Sequence, residues 1–179
     1  MKIKNVIKAC KAHRTIQVVY VRNSNEEEKW LGDGRSLWLM PEYMNCDMDG
    51  IFGIYDFSEA EQEKTQYILK NAEDVSFDFS DSEESGEVDL LGIILNVSGA
   101  EYRPIKTEEG VIYIEEKYFS IFTDKQFSSK LKHMQDREPY IAVYEGMILI
   151  GIILPVKIET PYLCDTLAIM HANMKAKLQ

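Results

Sequence analysis

Between Asn45 and Asp56 the chain spaces its oxygen-bearing side chains as a calcium-binding loop does. Asn45, Asp47 and Asp49 stand at positions 1, 3 and 5, Gly50 at position 6, apolar Phe52 at position 8 and Asp56 at position 12. Oxygens at alternate positions can wrap one cation, and the glycine permits the sharp bend between them. Three substitutions argue against calcium. Position 1 is uncharged, position 12 holds Asp where a longer bidentate Glu is needed, and Pro41 interrupts the run where an entering helix belongs. We read the segment as an Asp/Gly-rich turn in front of a helix and expect no metal or other cofactor.

The remaining reactive side chains do not converge in sequence. His13, His133 and His171 are isolated, with no Cys or His at zinc-ligand spacing. Cys10, Cys46 and Cys164 are odd in number and widely spread, which suits buried thiols in a reducing compartment better than a disulfide framework. A Cys–His nucleophile pair brought together by the fold would need no local signature, and none surrounds these cysteines. Gly32, Gly34, Gly50 and Gly53 form neither phosphate-cradling pattern, so they read as turn glycines and no catalytic residue is assigned.

Charge supplies one asymmetry. The net charge of −10 hides a segregation in which residues 1–25 carry six basic and no acidic side chains, while residues 26–101 carry four basic and twenty acidic ones. A local basic face can attract phosphate even on an acidic protein. Lys4, Lys8 and Lys11 fall on one helical stripe beside the apolar face of Ile3, Val6, Ile7 and Cys10, and they are the candidate contacts for DNA or a protein partner. The same helix has a plainer use, docking against the protein's own acidic segment or that of a neighbouring copy. Trp30, Trp38, Tyr43, Phe52 and Tyr55 cluster nearby, and their acidic surroundings favour core or interface packing over base stacking.

These residues need a scaffold, and the pattern is α+β: a mainly antiparallel sheet with an N-terminal basic helix, one or two middle helices and a C-terminal helix. Thr15 to Val21, Lys29 to Leu31 and Ser36 to Met40 read as a small meander turning at Gly32-Asp33-Gly34. Ser58 and Glu61 form a capping box that opens a helix to about Lys70, followed by a half-buried strand alternating at Val75, Phe77 and Phe79. The acidic, serine-rich stretch 80–89 is a solvated loop. Leu90 to Val97, Tyr102 to Lys106 and Val111 to Ile114 read as strands. Helical pieces are expected over Glu115 to Phe122 and where Phe127, Leu131 and Met134 share a face. Tyr140 to Tyr144 and Met147 to Leu154 make a hairpin around Glu145-Gly146, and Thr160-Pro161 opens a last helix carrying Leu163, Leu167, Met170 and Met174 on one face. The chain is a single unit, or two small similar halves, 1–80 and 90–179, joined by the acidic loop.

Residues 140–158, Y-I-A-V-Y-E-G-M-I-L-I-G-I-I-L-P-V-K-I, resemble the closing strands of DNA sliding clamps, and 111–119, V-I-Y-I-E-E-K-Y-F, is similar to the strand-then-helix step inside a clamp domain. The resemblance implies an antiparallel shell whose helices line a central hole, with Lys4, Lys8 and Lys11 suited to face DNA. The chain as a whole also resembles proteins of prophages and mobile elements in low-GC Gram-positive bacteria, a likeness that implies no mechanism. Lysines interrupt the N-terminal apolar face, and no run of eighteen apolar residues occurs, so the expectation is a cytoplasmic protein with no membrane partner. The expected function is a non-catalytic protein-interaction or assembly module. The alternatives are a clamp-like DNA processivity factor and an enzyme whose site is assembled from distant residues.

Overall fold

Strand-forming residues dominate the chain, and their alternation decides which strands are central. The computed structural model describes residues 2–158 apart from 24–25, 76, 80–84, 109, 122–126, 133–138 and 157. Helix α1 (Ile3–His13) buries Val6, Ile7, Ala9 and Cys10 and ends at Arg14, whose left-handed φ of 53° turns its N–H back onto the carbonyls of Cys10 and Lys11. Strand β1 (Thr15–Asn23) follows, then β2 (Glu26–Gly32) and β3 (Ser36–Leu39), forming the expected antiparallel meander. Helices α2 (Met48–Ile54) and α3 (Glu59–Gln62) precede β4 (Gln66–Asn71), which pairs with β1 in parallel.

After a 3-10 turn at Ala72–Asp74 come β5 (Ser85–Glu87), β6 (Asp89–Leu90), β7 (Leu95–Val97), β8 (Ala100–Thr107) and β9 (Gly110–Glu115). A 3-10 helix at Glu116–Ile121 then leads to β10 (Phe127–Lys132), β11 (Tyr140–Glu145) and β12 (Ile148–Ile153). One eight-stranded sheet runs in the order β4-β1-β2-β3-β12-β11-β10-β5, and a four-stranded sheet is built around β8. The fold is α+β, and β1–β4 is the parallel pair in an otherwise antiparallel large sheet.

The large sheet is buried on both faces. One face packs under α1, the 3-10 helix and the small sheet, with Ile16, Val18, Leu31, Trp38, Val143, Tyr118 and Ile114 in a single cluster. The other holds Val19, Trp30, Leu37, Tyr140 and Ile152 beneath the segment Ala72 to Phe79. Double burial is why β1 reads as a nearly continuous apolar run with β-branched residues on both sides. The β2–β3 and β11–β12 hairpins meet at the centre, where Gly151 pairs with Trp38.

Several sequence expectations are corrected here. The Ser58 capping box forms, with Glu61 N donating to Ser58 Oγ and Ser58 N to Glu61 Oε2, yet the helix ends at Gln62 and not near Lys70. Tyr67, Ile68 and Leu69 gain more as a strand beside β1 than as further helical turns. Val75, Phe77 and Phe79 are half-buried, as their alternation implied, but lie outside any strand, covering the sheet from above. Phe127 to Lys132 is strand where a helix was expected. A spacing of four is even, so Phe127 and Leu131 share a face in either structure. Ser85 to Glu87, within the expected acidic loop, is an edge strand. The run from Leu90 to Val97 is two short strands with Leu91 buried between them. The β11–β12 loop is Gly146-Met147, one residue later than expected, with Gly146 at φ 66°. The C-terminal helix, His133, Met134, Cys164 and His171 lie outside the described residues.

Candidate functional site

Helix α1 sits between two surroundings that divide its lysines. Lys11 turns toward α3: its amine donates to the Asp56 carbonyl at 3.2 Å, stands 3.5 Å from Glu61 Oε1 and lies 4.3 Å from the centre of the Phe57 ring. Lys4 and Lys8 are exposed, and among the described residues neither has an ion-pair partner. Lys8 lines a groove of about 740 Å³ between α1, the β7–β8 turn and the start of the Glu116–Ile121 helix. The three lysines therefore share a stripe in sequence but not a surface role, because side-chain neighbours split them.

The inner end of that groove holds a polar cluster that sequence spacing did not reveal. Asp33, at the β2–β3 turn, has a fully buried side chain. Its Oδ1 accepts from the N–H groups of Arg35 and Ser36 and from Ser36 Oγ, holding the turn. Its Oδ2 accepts from Tyr118 OH at 2.8 Å and lies 2.8 Å from His13 Nδ1. Burial pushes the Asp33 carboxyl up, but the hydrogen bonds from His13 and Tyr118 and the charge of Lys117 outweigh it and hold it down at about 2. Burial, with the Asp33 charge beside it, pushes the Tyr118 phenol far above its ordinary value.

Lys117 closes the cluster. Its amine is 2.6 Å from His13 Nε2 and 2.7 Å from Glu115 Oε2, and Arg35 Nη1 lies 3.4 Å from Glu115 Oε1. An ammonium only donates, so Nε2 accepts and the imidazole proton sits on Nδ1, aimed at Asp33. Two carboxylates face two permanent cations, leaving the cluster neutral within itself, and the nitrogen a general base would use is already occupied. What this arrangement does is join three elements: α1 through His13, the β2–β3 turn through Asp33, and the β9 region through Glu115, Lys117 and Tyr118. Next to it Cys10 Sγ donates to the Gly32 carbonyl at 3.1 Å, and burial pushes this thiol well up, away from the thiolate a nucleophile needs.

Asn45, Asp47, Asp49 and Asp56 are placed as a capped helix. Asp47 Oδ1 accepts from Gly50 N at 2.6 Å as the N-cap of α2, while Asn45 and Asp47 bond each other twice. Residues at calcium-loop positions 4 to 10 are helical, and the position 7 carbonyl, on Ile51, already accepts from Tyr55 N. Asp56 stands beyond the helix at φ 50° with its carbonyl given to Lys11.

The aromatic cluster is sorted by the fold. Trp30, Trp38 and Phe52 are buried, whereas Tyr43 is 87% exposed and joins an outward surface built around the buried Cys46. Tyr67 OH donates to the Cys46 carbonyl at 2.7 Å, and Tyr55 OH lies 3.8 Å from Met44 Sδ. Burial pushes the Tyr20, Tyr55 and Tyr67 phenols up, Tyr67 to about 12, and each also feels the Cys46 group beneath it. Leu69, two residues along β4 from Tyr67 and on the same face, is exposed, as is Met48, which follows Asp47, whose charge acts on Tyr20 and Tyr67. Tyr20 was missed because its strand position reads as an ordinary half-buried one, and Tyr67 and Leu69 because the Ser58 capping box reads as opening a helix that runs through them, where the structure has β4. Only the open edge at β4 and the loop over Cys46 make them a surface.

The fold and these two sites define an α+β protein with a structural charge cluster and a tyrosine- and methionine-bearing corner. No family model, no curated protein and no solved structure matches the chain.

Proposed function

We propose that this protein is a non-catalytic docking module that holds a protein partner at the corner formed by Tyr20, Tyr43, Tyr55, Tyr67, Met48 and Leu69. The observation that carries the reading is the company these residues keep: the Tyr20, Tyr55 and Tyr67 phenols all feel the buried Cys46, Tyr43 acts on Tyr55, and Tyr43, Met48 and Leu69 are exposed large apolar side chains. Tyrosine and methionine are enriched at interface centres because they offer broad apolar contact with a polar or adaptable end. The self-neutralised cluster at Asp33 supports the same reading, since it spends its ionisable groups on joining elements. Two free, buried thiols, Cys10 and Cys46, suit a reducing compartment, and we place the protein in the cytoplasm. Among the described residues no helix is long and apolar enough to cross a membrane.

A photo-crosslinking residue at Tyr43 is expected to capture one discrete protein in cells, while the same residue at Met147, 96% exposed on the β11–β12 hairpin, captures none. Equal labelling from both positions, or none from either, would remove the docking reading.

A clamp-like DNA factor is the second reading. It is favoured by a repeated plan: a helical segment precedes each of the β1–β2–β3 and β10–β11–β12 meanders, and α1 lies beside the Glu116–Ile121 helix with Lys2 N donating to the Ile121 carbonyl. This reading expects salt-dependent DNA binding whose log–log slope falls by about 2 when Lys4 and Lys8 both become Glu. Lys11→Glu should then act mainly through lost contact with α3. No DNA retention at low salt, measured by fluorescence anisotropy, ends the clamp reading.

A further inference from the structure

Strand β4 ends the large sheet, and its backbone limits what can join it there. Gln66 N donates to the Arg14 carbonyl, so the N–H and C=O of Gln66, and by alternation those of Ile68 and Lys70, point toward β1. The same groups of Tyr67 and Leu69 point outward, and among the described residues no strand lies beyond them and no group bonds to them. The outward N–H groups on either side are engaged: Thr65 N donates to the Gln62 carbonyl, and Asn71 N to Asp74 Oδ2 at 3.0 Å. The open N–H groups of this edge therefore belong to Tyr67 and Leu69, with Ile68 at their centre.

That set of groups is complementary to itself. An antiparallel neighbour must bring outward-pointing residues opposite outward-pointing ones. Tyr67 opposite Tyr67 would set Leu69 against Thr65, and Leu69 opposite Leu69 would set Tyr67 against Asn71, each pairing an open carbonyl with an N–H already engaged. Tyr67 opposite Leu69 leaves nothing unmet. Tyr67 N–H then meets the Leu69 carbonyl of a second copy, Leu69 N–H meets that copy's Tyr67 carbonyl, and a two-fold axis at Ile68 returns the same bonds.

The side chains agree with this register. Residues directly opposite in an antiparallel pair share a face, so each Leu69, 61% exposed, comes beside the other copy's Tyr67, whose hydroxyl is held on the Cys46 carbonyl. On the opposite face Ile68, half-buried, meets Ile68 across the axis. Lys70, the charged residue of β4, comes opposite Gln66, so no like charges confront each other.

We infer that β4 pairs antiparallel with β4 of a second copy of this chain, about a two-fold axis at Ile68, joining the two large sheets into one. The inference rests on the docking reading and names its partner as the chain itself. The net charge of −10 opposes the approach of two copies, so the pairing tightens as salt screens it.

Sedimentation velocity of the full chain over a concentration series is expected to show a monomer–dimer equilibrium that salt shifts toward dimer. Leu69→Pro removes an outward N–H while leaving the inward bonds of Ile68 and Lys70, a change an edge strand tolerates, and is expected to raise the dimer dissociation constant at least about tenfold. Ile68→Cys sets two thiols across the axis at a non-hydrogen-bonded pair, within disulfide reach, and is expected to yield a covalent dimer on oxidation. Leu69→Cys, whose thiols stand diagonally, is expected to yield none. Should Leu69→Pro fail to fold by circular dichroism, Ile68→Cys, which keeps every backbone group, decides.

Four outcomes overturn the inference: a monomer at every concentration, a dimer that a folded Leu69→Pro leaves unchanged, crosslinking through Leu69→Cys but not Ile68→Cys, or open-ended assemblies in place of a closed pair. If Tyr43 captures a different protein in cells while the chain stays monomeric, self-pairing fails and docking stands.

Discussion

Asp33→Ala is expected to lower the free energy of unfolding by about 3–5 kcal/mol, the range for removing one member of a buried charged network. Alanine strips the β2–β3 turn of three hydrogen bonds to Oδ1 and leaves Tyr118 OH and the His13 Nδ1–H facing a site with no acceptor. Lys117 keeps Glu115, so the damage concentrates at the junction of α1 with the turn. Amide exchange in α1 should accelerate along with the fall in stability. Asp33→Asn, which keeps an acceptor oxygen, should cost less. Urea unfolding at neutral pH measures both, and a loss below about 1 kcal/mol for the alanine variant would show the cluster to be incidental.

The same carboxyl predicts a pH dependence with a definite sign. Held at about 2 in the folded protein against an ordinary 3.8, Asp33 binds its proton less readily folded than unfolded. Its contribution is therefore complete above the ordinary value and drains away as pH falls toward about 2. That gap corresponds to roughly 2 kcal/mol, so the stability curve of Asp33→Asn should lack about that much of the wild-type decline between pH 4 and 2.

Trp38→Ala carries the second large expectation, a loss of about 3–5 kcal/mol from truncating a fully buried ring. The ring lies across Gly151 at the meeting of the two hairpins, so close that a Cβ built on Gly151 would come within 2.4 Å of it. Gly151→Ala alone is therefore destabilising through overpacking. In the Trp38→Ala background the added methyl enters the space the ring has left and its cost should shrink or reverse. A double-mutant cycle with strongly non-additive free energies is the expected readout. Strict additivity would mean that the ring and the glycine do not share the seam.

Much of this scaffold could be read from local pattern. The first meander, the β8–β9 pair and the last hairpin all announce themselves through β-branched runs separated by glycine turns, because those preferences act over a few residues. The Ser58 capping box was equally legible, but the length of its helix was not. Whether Tyr67 to Leu69 continues a helix or pairs with β1 depends on a strand about fifty residues earlier. Phe127 and Leu131 show the same limit, since their spacing fits both structures and only the β11 edge chooses between them.

By itself, then, the sequence determined an α+β protein with its positive charge at one end, turn glycines in place of phosphate loops, and a basic amphipathic first helix. Tertiary structure alone decided the sites. It sent Lys11 to Phe57 and Glu61 while leaving Lys8 at a groove, and it turned Asp33 from a turn residue into the acceptor shared by His13 and Tyr118, residues far from it in the chain. It also left Tyr67 and Leu69 at an open edge over Cys46. The physical reason is that propensity and periodicity act between near neighbours, whereas burial, charge pairing and an unfilled sheet edge exist only once distant segments have met.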